Sequence, residues 1–88
     1  MTVDDKFSKA LGKFVNSNNL RFTAEKYEDM VKDDTVLYTR AEIAILNERH
    51  NDILDISVIY NRKDTVSSIY KKITLSYAKA LLAYRLRK

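Results

Sequence analysis

The 88-residue chain contains no proline and a single glycine, Gly12. Turn-rich all-β architectures draw on both residue types, so a chain nearly free of them is expected to fold as helices joined by short polar turns. The length suits one domain, taken as 1–88, and 45% apolar residues with 10% aromatics suffice for a genuine core. A chain of this size buries only roughly 60–65% of its unfolded surface, so a partner or a second copy would add much.

Four segments carry helical spacing. Val3, Phe7, Ala10, Leu11, Phe14 and Val15 form one stripe, with Thr2 and Asp5 as a loose cap and Asn16-Ser17-Asn18-Asn19 as the stop. A short second helix is expected from the Thr23 cap, stapled by Phe22 and Tyr27, with Ala24, Tyr27, Met30 and Val31 on its apolar side. The third begins at the capping box Thr39-Arg40-Ala41-Glu42 and carries Ile43, Leu46, Ile53 and Leu54. Asn61-Arg62-Lys63-Asp64 interrupts it. A fourth, capped by Asp64 or Thr65, runs almost to the end on Val66, Ile69, Tyr70, Ile73, Tyr77, Ala80, Leu81 and Tyr84. The expected fold is therefore all-α: two short N-terminal helices packed on a long antiparallel C-terminal pair. The competing pattern is a hairpin turning at 61–64, because residues 53–60 and 65–75 are rich in β-branched side chains.

Each long helix then has a second apolar side. Leu75, Leu82 and Leu86 lie opposite the Val66/Ile73/Tyr84 stripe, and Ile45, Ile56 and Ile59 fall away from Ile43 and Leu54. The short helices are too small to cover both second faces. These six residues are the expected partner or oligomer face, with a homodimer or a protein partner as occupant.

Charge is unevenly placed. Residues 1–60 hold eight Lys/Arg and eleven Asp/Glu; residues 61–88 hold eight Lys/Arg and only Asp64. Arg62, Lys63, Lys71, Lys72, Lys79, Arg85, Arg87 and Lys88 form a basic set that suits nucleic acid, an acidic protein surface or simple solvation. Tyr70, Tyr77 and Tyr84 recur every seven residues; base stacking is one use, and core packing fits the spacing better. Glu25, Glu28, Asp29, Asp33 and Asp34 make an acidic patch.

Chemistry-bearing motifs are lacking. No cysteine means no disulfide framework or thiolate nucleophile, and the one histidine, His50, has no converging ligand set, so no metal, cofactor or small-molecule substrate is expected. No nucleophile–base spacing argues for an enzyme. The first residues do not read as a leader, the apolar stretches are broken by charge too often to span a membrane, and an intracellular, cytoplasmic setting is expected. The functional expectation is a non-catalytic regulatory or accessory protein that self-associates through its C-terminal helix and contacts nucleic acid with the basic strip. The alternative is an adaptor or inhibitor docking a two-faced helix onto a protein partner.

Overall fold

The computed structural model describes residues 3–86, with side chains from Asp5 onward. The elements run α1 (Val3–Ser17), β1 (Arg21–Lys32), β2 (Thr35–Asn47), β3 (Asp52–Tyr60) and α2 (Val66–Leu86). The strands form one antiparallel sheet in the order β1-β2-β3, and both helices contribute buried side chains to its single core. The fold is α+β, which overturns the expected all-α bundle.

The terminal helices stand where the 3–4 spacing puts them. Phe7, Ala10, Leu11, Phe14 and Val15 of α1 are buried. Its end is a left-handed cap: Asn19 takes φ 54°, the Leu20 amide bonds the Val15 carbonyl at 2.9 Å, and Asn18 Nδ2 donates to the Phe14 carbonyl at 2.8 Å. The N-cap of α2 is Thr65. Its Oγ1 accepts from the Ser68 amide at 3.1 Å, while Ser68 Oγ accepts from the Thr65 amide at 2.8 Å, a reciprocal capping box. Thr2, expected as the cap of α1, lies outside the described residues.

The two middle helices do not exist. The segment expected as the second helix is β1, and the segment expected as the third is β2, a turn and β3. The cause is a period-two pattern that outweighs the apparent caps. Thr39, Ala41, Ile43 and Ile45 are buried and alternate with Arg40, Glu42, Ala44 and Leu46. Leu54, Ile56, Val58 and Tyr60 are buried and alternate with Asp55, Ser57 and Ile59. In register, Ala41 faces Val58, Ile43 faces Ile56 and Ile45 faces Leu54. The supposed capping threonine, Thr39, instead donates from within the sheet to Asp29 Oδ1 at 2.8 Å.

Neither hairpin needs proline or glycine. Asp33 and Asp34 both adopt positive φ, 53° and 62°, the requirement of a two-residue type I′ turn between Lys32 and Thr35. The β2–β3 connection is four residues, 48–51, closed by Asn51 at φ 53°. Aspartate and asparagine tolerate this left-handed region because their short polar side chains bond locally. The hairpin weighed for 61–64 is absent, since that tetrad joins β3 to α2.

One core unites the layers. Phe7 stacks on Tyr60, ring centroids 5.0 Å apart, and meets Tyr27 edge-on at 5.6 Å. Phe14 meets Tyr70 and Tyr77 edge-on at 6.1 and 5.4 Å. Ile69 and Ile73 of α2 are completely buried, each contributing about 1.5–3 kcal/mol of apolar burial.

Gly12 is helical, and a Cβ built there meets nothing within 4 Å. Gly12→Ala is therefore expected to stabilise the protein by about 0.5–1 kcal/mol, read as a higher urea midpoint at unchanged m-value; a lower midpoint would contradict this packing.

Candidate interaction surface

In α2, the residues that meet the core occupy one side: Val66, Ile69, Tyr70, Ile73, Tyr77 and Ala80. The opposite side, stepped by 100° per residue, carries Lys71, Leu75, Ala78, Leu82 and Leu86. Leu75, Leu82 and Leu86 are 59%, 61% and 79% exposed. No other described element covers them. The remaining three residues of the expected face separate: Ile59 is 53% exposed on the sheet's uncovered side, whereas Ile45 and Ile56 are buried. On one helix these isoleucines would share a flank. On two strands, odd and even positions point to opposite sheet faces, so Ile45 and Ile56 belong to the core.

The basic set also divides. Arg62 and Lys63 are exposed in the β3–α2 turn, and Lys71, Lys79 and Arg85 are exposed on α2. Arg87 and Lys88 lie outside the described residues. Lys72 is engaged internally: its Nζ sits 2.8 Å from Asp64 Oδ2. Asp64 also accepts from the Asn61 amide at 2.9 Å and from the Ser68 hydroxyl at 2.9 Å. Lys6 of α1 donates to the carbonyls of Arg62 and Asp64 at 3.3 and 3.2 Å, tying this turn to the other helix. Burial pushes the Asp64 carboxyl up, but the Lys72 hydrogen bond, the Asn61 amide, the Ser68 hydroxyl and the Lys72 charge together hold it below the usual aspartate value.

The tyrosines are likewise committed. Tyr60 is buried against Phe7, Tyr70 and Tyr77 pack on Phe14, and Tyr84 donates to Asp52 Oδ1 at 2.8 Å. Such rings present no free stacking platform. His50 is exposed in the β2–β3 turn, Glu48 pairs with Arg21 at 2.8 Å, and no group of three or more metal-ligating side chains occurs among the described residues. The acidic patch sits on β1 and its turn rather than on a helix: Glu28 lies 3.5 Å from Arg40, and Asp29 is bonded to Thr39.

Sequence reasoning missed one surface. β3 pairs only with residues 39–47 of β2, so the β1–β2 hairpin continues beyond it as a two-stranded arm spanning 29–38. The arm exposes Met30, Val31 and Leu37, at 37%, 59% and 51%. The signal available was the adjacent pair Asp33-Asp34, a turn candidate with apolar residues on either side.

No helix among the described residues is long and apolar enough to cross a membrane. No family model matches the chain, and neither a curated protein nor a solved structure matches it significantly.

Because the native Asp64 carboxyl titrates below its unfolded value, its contribution to stability is present above the unfolded value and is lost as pH falls through the native one. Asp64→Asn is expected to lower stability at pH 7 and to converge with wild type at the acid end, measured by urea unfolding from pH 7 to pH 2. A constant gap across that range would contradict the assignment.

Proposed function

We propose that this is a non-catalytic accessory protein whose working surface is the outward face of α2, used to dock onto protein. The observation that carries the reading is the exposed row Leu75, Leu82 and Leu86 on a helix whose other side is already packed. Isolated surface leucines are ordinary; three in register along one helix face form the apolar stripe used by helices that lie in a partner's groove. Lys71, Lys79 and Arg85 beside that stripe favour a partner whose rim is acidic.

A protein partner is favoured over nucleic acid because the aromatic rings that base stacking would use are spent elsewhere, as is one lysine of the basic set. Lys72 is paired with Asp64, and the four C-terminal tyrosines are packed or hydrogen-bonded. Acidic residues also stand on the sheet's uncovered side, where Glu42 is exposed and lies 3.8 Å from Arg40, and Asp55 is exposed beside Ser57.

Photo-crosslinking tests the reading. A benzophenone side chain placed at Leu75 or Leu82 should give discrete protein adducts in the native host, while one at the exposed Ser57 on the uncovered sheet face should not. Equal labelling from all three positions, or none from the helix, would defeat it.

A further inference from the structure

The α2 face specifies the chemistry of what covers it. From Val66 to Leu86 the helix contains no aspartate or glutamate, and its exposed cations Lys71, Lys79 and Arg85 flank the leucine stripe. A symmetric pairing of two α2 helices would therefore bring like charges together with no carboxylate between them. The occupant needs exposed apolar side chains and acidic groups within one short element.

The hairpin arm has both. From Asp29 to Tyr38 it carries three carboxylates, Asp29, Asp33 and Asp34, against the single Lys32, and its tip exposes Val31 and Leu37. Val31 lies two residues beyond Asp29, on the helix-bearing side of the sheet past the point where helices cover it, and pairs with Val36; Leu37 is the extra residue at the register shift between Met30 and Val31. From Asp29 to Asp33 the arm runs about 14 Å at the strand rise. From Leu75 to Leu86 the stripe runs about 16 Å at the helical rise. The two surfaces lie toward opposite ends of the molecule. The arm projects past Tyr60, next to the start of α2, whereas Tyr84 near the end of α2 bonds Asp52 at the far end of β3.

Resting on the reading of α2 as a docking face, we propose that its occupant is the hairpin arm of a second copy of this chain, in a two-fold dimer. The helical layers face each other head to tail, and each arm lies across the partner's Leu75, Leu82 and Leu86. One arrangement satisfies both unpaired surfaces, joins opposite charges and closes on itself without forming a filament.

Mixing experiments separate this from other arrangements. The face variant is Leu75→Lys/Leu82→Lys, and the arm variant is Val31→Thr/Leu37→Thr, both checked for native circular dichroism. Sedimentation velocity of wild type should give a dimer whose Kd weakens about tenfold between 50 and 500 mM NaCl, because the contact joins opposite charges. Each variant alone should be monomeric, and their equimolar mixture should form heterodimers, since the face variant's arm still fits the arm variant's helix. A milder pair, Asp33→Asn/Asp34→Asn and Lys71→Gln/Lys79→Gln, keeps the turn conformation and should weaken the wild-type dimer most at low salt.

An arm variant that dimerises like wild type, a mixture that stays monomeric, or a wild type that is monomeric at about 100 μM would each overturn the proposal. So would a monomer that instead binds phosphatidylglycerol vesicles through the leucine face. If the proposal fails while positions 75 and 82 still crosslink to a different protein, the docking function stands without this occupant. If those positions crosslink to nothing, both fall.

Discussion

The structure depends on one apolar seam between a sheet face and a helix pair. The sheet has one apolar face to cover, and among the described residues α1 and α2 pack against that face and each other. Phe7 stacked on Tyr60, with Ile69 and Ile73 wholly enclosed, closes that seam. Because a single layer of side chains holds both halves, each element has only one face committed. The outward side of α2, the uncovered sheet face and the hairpin arm are left in solvent.

These three free surfaces differ in character, and the difference guides the functional reading. On the uncovered sheet face, Arg40 lies between Glu28 and Glu42, so its charges are partly satisfied at home. Antiparallel sheets commonly keep one wetted face of this kind. The α2 face is apolar with unmatched cations, and the arm is apolar with excess carboxylates. A surface whose charges find no local counterpart is the one with most to gain from association, and here there are two of opposite sign.

The terminal helices were legible in the sequence because each needs only a local rule. Residues spaced three and four apart mark a buried stripe, and the polar residues Asn18, Asn19 and Thr65 mark the ends. The sheet was obscured for physical reasons. Its turns use Asp33, Asp34 and Asn51 in left-handed geometry, so the scarcity of glycine and proline carried the wrong message. Thr39-Arg40-Ala41-Glu42 satisfies the pattern of a capping box, yet Thr39 spends its hydroxyl on Asp29 across the sheet. The alternation through Ala41, Ile43 and Ile45 was present, but small alanines at 41 and 44 blurred the contrast between faces. The same error mixed the partner-facing residues: helical spacing grouped Ile45 and Ile56 with Ile59, whereas strand alternation sends the first two into the core. Leu75, Leu82 and Leu86 were identifiable because α2 is a real helix, and the arm was not, because its exposure depends on β3 ending early.

The central claim is that this chain completes its core without using the outer leucines of α2. Methyl NMR of dilute protein with a soluble paramagnetic agent addresses it directly. The methyls of Leu75 and Leu82 should broaden strongly while those of Ile43, Ile45 and Ile73 stay sharp. A monomer in which the two leucines are as protected as Ile73 would contradict the two-layer arrangement and the docking surface drawn from it.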